Sequence, residues 1–418
     1  MRLTAIMALA AIAAFGAWGG AEPQQEGAKV FFSVLDYGAQ AGGDADCTAA
    51  FQAALDAAGK GGGIVQVAGG RYLMRGHLSV PDNVTLEGTW RAPARSIDAG
   101  SVLLAVEGAG KPDGEPFITL HTNSTLRGIA VFYPEQVDEN PPKPYPWCVR
   151  GIGDDCAIVD VLLMNPYQAV DFGTFPAGRH YINGLYAQAL YRGIFVDKCF
   201  DIGRIQNVHL WPFWMIGGDS KARQFTLEQG EAFIFGRTDW EYVTNCFCIA
   251  YKVGFHFIAL NDGPGNVVLT QSGSDIGPTA VLVDATQGHA GVAFNNSQFM
   301  AGVVVKETNG GPVKFNNCGF WPIEETGRMA DLRGDGHITF NACHFAGWDR
   351  KGEGEPAIHA DCGGLTVSSC DFMEQGKAQI TLGPELHAGI IMGNRFRGGQ
   401  RVKNESKGEV QLGLNVGQ

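Results

Sequence analysis

From about residue 160 to residue 400 one short pattern of apolar and polar positions recurs along the chain. It reads apolar, any residue, Asn or small, Cys or small, any residue, then Phe or another apolar residue. Two copies are Ile205-Gln206-Asn207-Val208-His209-Leu210 and Phe315-Asn316-Asn317-Cys318-Gly319-Phe320. Taking the fourth residue as a register mark gives Val161, Gly184, Val208, Cys246, Ser272, Ser297, Cys318, Cys343, Cys370 and Asn394, with weaker copies at Gly88 and Gly128. Successive marks lie 21–27 residues apart, except for 38 between Val208 and Cys246. Within a unit, apolar and polar residues alternate with period two, and Gly or Asn separates about three short strands. That combination is the signature of a β-solenoid. One unit cannot bury its own apolar face, but stacked units can. Equivalent residues then form ladders, so Cys318, Cys343 and Cys370 read as an inward thiol ladder.

The start of the chain follows a different pattern. Arg2, an apolar run from Ala5 to Trp18 and small residues at Gly19 and Ala21 read as a secretory signal over residues 1–21, leaving 22–418 as the mature, secreted or periplasmic chain. No later run reaches the length of a membrane span. Thr48 to Ala58 predicts an amphipathic helix with Phe51, Leu55 and Ala58 on one face. It lies between a strand and turn in the segment Phe31–Ala39 and a Gly turn and strand in Gly61–Val67, with Val84–Gly88 following. This arrangement caps the open end of a solenoid, an edge that otherwise invites aggregation. The expected layout is a cap and first coils over 31–90, coils over 91–400 and a tail over 401–418.

Composition sharpens the picture. Lys plus Arg is 31 and Asp plus Glu is 43, giving a formal charge of −12. An acidic chain without a basic block does not fit nucleic acid. The 59 glycines lack a Gly-X-Y period, so collagen is excluded and many tight turns are expected. Cys148 and Cys156 flank a turn-like Gly151-Ile152-Gly153 and are candidates for a disulfide in an exported chain. No CxxC pair or His-rich spacing points to zinc, and Cys246-Phe247-Cys248 is one residue too short.

The segment Val34-Leu35-Asp36-Tyr37-Gly38-Ala39, followed by Asp44-Ala45-Asp46, Gly61-Gly62-Gly63-Ile64-Val65-Gln66-Val67 and Gly70-Arg71-Tyr72, resembles the opening of the pectate-lyase-like superfamily. The resemblance is to its rhamnogalacturonase-like, epimerase-like and phage-tailspike-like branch. Cys47 and Ala68 depart from the usual form, which has an acidic or amide residue and a proline there. The resemblance implies an all-β, single-stranded right-handed parallel β-helix with an N-terminal capping helix. It leaves the reaction open, because that fold hosts lyases, hydrolases, epimerases and adhesins. The signatures of polygalacturonase-like hydrolases are incomplete. Asp154-Asp155 lacks an Asn-Thr-Asp partner, Gly334-Asp335-Gly336-His337 lacks the following Gly, and Arg401-Val402-Lys403 lies beyond the last clear coil. No catalytic residue is carried over from them.

Candidate residues therefore come from coil position. Tyr167, Tyr191 with Arg192, Trp214, and Tyr251 with Lys252 fall five to seven residues after successive marks. They are expected to form an aromatic stripe on which sugar rings stack, with Arg192 and Lys252 holding carboxylate or sulfate groups. Asp197 and Asp219 end two segments expected to align on neighbouring coils. Such a pair of carboxylates can divide into acid and base. The oversized unit adds Trp211, Trp240, Glu231 and Asp239, on the expectation that extra loops on a rigid scaffold carry binding and catalysis. Tyr133 to Cys148 reads as a second, groove-side loop. Asp171 and His256 project outward but three coils apart. No metal or other cofactor is expected. Calcium serves some pectate-lyase-like enzymes, but no three-carboxylate cluster at metal spacing is visible. The reading is an exported carbohydrate-active enzyme that cleaves a polysaccharide, acidic if the cations bind it, by hydrolysis in preference to elimination. The alternative is a non-catalytic glycan-binding or surface-structural β-helix.

Overall fold

A computed structural model describes residues 29–94, 96–212, 217–324 and 326–417. The secretory segment and Trp214 lie outside the described residues. The chain winds into a parallel β-helix with three sheets, here called first, second and third in the order in which each coil visits them. Every coil strand pairs in parallel with its equivalent one coil on. In the first sheet one inward column runs from Phe32 through Val65, Leu86, Leu126, Ile158, Ile182, Ile205 and Val243. It continues through Leu269, Phe294, Phe315, Phe340, Val367 and Ile391 to Leu412. Nearly all of it is buried. This column is why the alternation was visible: period two along the strand and one identity class per coil.

Residues just before the register marks bend the chain between the first and second sheets. Asp160, Gly184, Asn207, Asn245, Gln271, Asn296, Asn317, Ala342, Ser369 and Gly393 all have φ between 51° and 73°. Gly and Asn accept this left-handed conformation most readily, which accounts for their recurrence. Asn side chains add rungs: Asn245 Nδ2 donates to Asn207 Oδ1 at 2.8 Å, and Asn317 Nδ2 to Asn296 Oδ1 at 2.8 Å. The column corrects one mark. Val161 pairs with Leu185, so Gly184 belongs with the bend residues, as Gly128 does, and Leu185 is the true mark of that coil.

The helix α1 spans Thr48–Ala58 and buries Phe51, Ala54, Leu55 and Ala58, as its periodicity predicts. Cys47 supplies no side-chain cap. The Asp46 carboxylate does so instead, accepting from Thr48 N at 3.0 Å and from its hydroxyl. The expected tail is a further coil: Val402–Asn404, Glu409–Gly413 and Val416–Gly417 pair in register with the coil before. All ten cysteines are buried and free, so Cys148 and Cys156 form no bridge. Cys148 neighbours the Tyr133 hydroxyl, and Cys156 donates to carbonyls including His121 O. Burial pushes both thiols up to about 12, the state of packing groups rather than nucleophiles.

Candidate functional site

The long unit holds an insertion between the strand Arg204–Leu210, which runs through the first and second sheets, and the third-sheet strand Glu231–Phe235. The insertion contains helix α2, Lys221–Gln229, capped by Ser220, whose hydroxyl accepts from Arg223 N. Asp138 of the Tyr133–Cys148 loop accepts from Ser220 Oγ at 2.9 Å and Ala222 N at 2.8 Å. The two expected loops are thus tied into one wall. α2 lays Phe225 over Tyr167 and Tyr191, with ring centroids 6.1 and 6.0 Å away, while those two tyrosines stack on each other at 5.1 Å.

That packing overturns the open aromatic stripe. Tyr167 and Tyr191 are half-covered by α2. Tyr251 is buried and donates its hydroxyl to Ala189 O at 2.8 Å, which makes it core. Trp211 stands apart, stacked on His209 at 5.1 Å at the end of a second-sheet strand.

The carboxylate pairing also changes. Arg192–Val196 pairs with Glu231–Phe235, not with the segment ending at Asp219. The coil neighbour of Asp197 is therefore Gly236. A side chain at 236 would meet Asp197 Oδ1 at 2.4 Å. Asp197 is buried and accepts from Arg237 N at 2.6 Å. Burial holds its carboxyl above its ordinary value despite that bond. Asp219 is exposed in the turn before α2. The two do not form an acid–base pair. Asp239 does not share a cavity with Glu231 either. It binds Arg237 at 2.9 Å and accepts from Gln287 at 2.9 Å, lining a separate open cavity of about 600 Å³ with the exposed Trp240. Asp154 and Asp155 are spent on Arg179, at 3.0 and 2.8 Å.

The structure instead gathers groups on the outer face of the third sheet. Strands Arg192–Val196, Glu231–Phe235, Val253–Phe257 and Thr279–Val283 lie side by side. Their pairing puts Glu231 beside Arg192, and Ile234 between Phe195 and His256. A cavity of about 220 Å³ is lined by Arg192, Phe195, Glu231, Ile234, His256, Ile258 and Leu260. Leu260 comes from a small antiparallel flap, Ala259–Leu260 against Gly263–Pro264. Trp147, one coil beyond Gln168, stacks on Phe195 at 6.2 Å and continues the apolar floor.

His256 is the centre of this face. Its Nδ1 lies 3.0 Å from Glu231 Oε1, and its Nε2 lies 3.1 Å from Asp284 Oδ2. Lys306 Nζ holds the other Asp284 oxygen at 2.8 Å. Burial pulls the His256 imidazole down, but the bonds to Asp284 and Glu231 outweigh it and bring its pKa to about 8. With both nitrogens on carboxylates, the ring donates twice as imidazolium. Burial raises Glu231, yet His256, Arg192 and Lys252 pull it below its ordinary value. Asp284 is likewise raised by burial and lowered further by His256 and Lys306. The Arg192 guanidinium sits 4.9 Å from the Tyr191 ring, and its Nε is buried without a hydrogen-bond partner.

Of the residues named from sequence, Arg192 and Glu231 come together, and the exposed Lys252 adds its charge to Glu231. His256 was legible as outward-facing, but its partners were not. Asp171 is indeed three coils away, buried against Arg150 at 2.6 Å. Asp284, Lys306 and the Phe195–Ile234 floor were missed. The signal was present in the matching rhythm of Arg192-Gly-Ile-Phe-Val and Glu231-Ala-Phe-Ile-Phe, hidden by the insertion between them.

Residues 31–133 match the family model "Rhamnogalacturonase A/epimerase, pectate lyase-like". No curated protein matches. Among solved structures the chain is similar to the N-terminal fragment of gene product 12 of bacteriophage phi29, with TM-score 0.64 and 13% identity over 91% of this chain and 70% of that one. It is similar to the A-module of the mannuronan C-5 epimerase AlgE6 of Azotobacter vinelandii, with TM-score 0.56 and 15% identity over 93% and 99%. A mutant DFA-IIIase of Arthrobacter chlorophenolicus A6 in complex with DFA-III gives TM-score 0.54 and 10% identity over 92% and 100%. At these identities the likeness establishes the fold. The family match is carried by residues 31–133, and the chain as a whole has the fold of the right-handed parallel β-helices.

Proposed function

We propose that this chain is an exported carbohydrate-active enzyme that cleaves a polysaccharide lying along the outer face of the third sheet. The observation that carries the reading is the Glu231–His256–Asp284 relay at the rim of an apolar-floored cavity. At neutral pH Glu231 is ionised and His256 protonated, so a base or nucleophile and a proton reservoir lie one hydrogen bond apart. Glycosidic hydrolysis needs both functions. Glu231 takes a proton from His256 through their hydrogen bond and passes it to the leaving oxygen, then regains a proton from the attacking water and returns it to His256, while Asp284 with Lys306 fixes the ring. The apolar floor of Phe195, Ile234 and Ile258 packs against the apolar faces of sugar rings. The epimerase and DFA-IIIase folds noted above support a carbohydrate substrate by analogy.

One observation favours a second chemistry. The buried, unpartnered Arg192 Nε, with Lys252 and Lys306 nearby, suits a uronate carboxylate. Neutralising that carboxylate would acidify the α-proton, and Glu231 could then remove it in an elimination. A panel of neutral and acidic polysaccharides, read for reducing ends and for the ultraviolet absorbance of unsaturated uronates, tests both. New ends alone support hydrolysis, and new ends with absorbance support elimination. Silence across the panel, with glycan binding retained, would favour the non-catalytic binder.

A further inference from the structure

A second constellation lies inside the solenoid, at the corner between the third and first sheets. His180, Cys199 and Glu241 are all fully buried, and their ligand atoms lie within 4.8 Å of one another. They come from different coils. His180 precedes Tyr181, Gly203 precedes Arg204 and Glu241 precedes Tyr242, and these three followers are paired across the first sheet. His180, Gly203 and Glu241 therefore occupy one inward column, with the glycine in the middle. A Cβ at 203 would meet Glu241 Oε2 at 2.2 Å and His180 Cε1 at 2.4 Å. The missing side chain is what lets imidazole and carboxylate converge across an intervening coil. Cys199 reaches the same spot from the preceding turn of that coil.

The column shows how unusual this is. On the following coils the Glu241 position is Val267, Val292, Val313 and Ile338, the ordinary apolar lining. Each polar group also follows a left-handed residue: Arg179 at φ 55°, Lys198 at 53° and Trp240 at 76°. These bends sit just before each of the three side chains. An outer shell is already in place. Ala177 O lies 2.9 Å from His180 Nδ1, which fixes the hydrogen on that nitrogen and leaves Nε2 as the ligand atom. Thr238 donates to Glu241 Oε2 at 3.1 Å. His180 Nε2 and Glu241 Oε1 then face each other at 2.9 Å: without a metal they share a proton as a buried ion pair, and a cation taking that proton's place would be held by both atoms.

We propose that His180, Cys199 and Glu241 form a structural zinc site that ties three consecutive coils together at this corner. Thiolate, imidazole and carboxylate are together a zinc donor set, and the Asp201 carbonyl, 2.9 Å from the Cys199 sulfur, is available as a fourth ligand. Sequence spacing could not reveal it, because the ligands are 19 and 42 residues apart and share no motif. The site lies away from the Glu231 cavity and does not depend on the proposed reaction.

The test is elemental analysis of the untagged full chain after expression with zinc supplied, followed by unfolding with a chelator and refolding with zinc or cobalt. The expected result is about one metal ion per chain, as for a closed structural site. Cobalt should give a sulfur-to-metal charge-transfer band. Both signals should vanish in Cys199→Ser and persist in Cys362→Ser, a buried cysteine outside the cluster. Should Cys199→Ser fail to fold, the cobalt band of the refolded wild-type chain decides. A metal-free wild type that refolds equally well with and without zinc overturns the proposal. So does bound metal that survives Cys199→Ser, since the ion then sits elsewhere.

Discussion

The coils after Val292 and the coils between Ala157 and Asp284 are built on the same backbone to different ends. In the later coils the lining is nearly uniform. Phe294, Phe315 and Phe340 stack at 5.2 and 5.0 Å, and Phe299, Phe320, Phe345 and Phe372 form a parallel stack at 5.3, 4.9 and 4.8 Å. Cys318, Cys343 and Cys370 follow one another beside them, each donating to a backbone carbonyl. In the earlier coils the interior takes in His180 and Glu241, Asp171 and Asp197 are buried outside it, an insertion breaks the period, and Glu231 and His256 gather on the outer face. Regular stacking is where the chain acquires stability, and departures from it are where chemistry can be placed.

The contrast can be broken from either side. Phe315→Ala removes a ring at the crossing of both stacks and should cost roughly 3–5 kcal/mol of stability. Turnover per folded molecule should be unchanged, as thermal melts paired with active-fraction-corrected rates would show. Glu231→Gln should do the reverse, lowering the rate roughly a hundredfold or more while the melting temperature moves little. Equal losses of rate and stability in both variants would erase the distinction.

A pH titration sharpens it further. His256 is bracketed by Glu231 and Asp284, with Lys306, Arg192 and Lys252 around them. Its folded pKa, about 8, lies above the ordinary 6.5. Its stabilising contribution is therefore complete below pH 6.5 and is lost as pH rises through about 8. That shift corresponds to roughly 2 kcal/mol. His256→Gln should flatten the melting temperature across this window, and activity of the wild type should fall over the same range. Smaller again, Tyr251→Phe leaves Ala189 O without its donor and should cost about 1 kcal/mol with no change in KM. An increase in KM would restore Tyr251 to the substrate surface. Asp219→Asn, exposed before α2, should change stability by less than about 0.5 kcal/mol and leave the rate unaltered.

The architecture was legible because the same classes recur in every coil. α1 appears over the residues its apolar spacing marks, and the thiol ladder falls where the Cys positions place it. The site was legible only in part, and the reason is register. A repeat can be read through an insertion only by deciding where the next strand resumes. Placing it in the segment that ends at Asp219 instead of at Glu231–Phe235 paired Asp197 with the wrong neighbour and left Glu231 without His256. Burial was the other hidden variable. Tyr251 carries the same sequence signal as Tyr191, but α2 and the coil beneath enclose it. The His180–Cys199–Glu241 cluster was out of reach for a related reason, since only the folded column brings its members together across Gly203.

The most direct test of the central claim compares wild type with Glu231→Gln on one polysaccharide, measuring binding and the release of chain ends in parallel. The account predicts that both bind the glycan equally and that only the wild type cleaves it. Cleavage by Glu231→Gln at the wild-type rate would contradict the assignment of the third-sheet cavity as the reacting site.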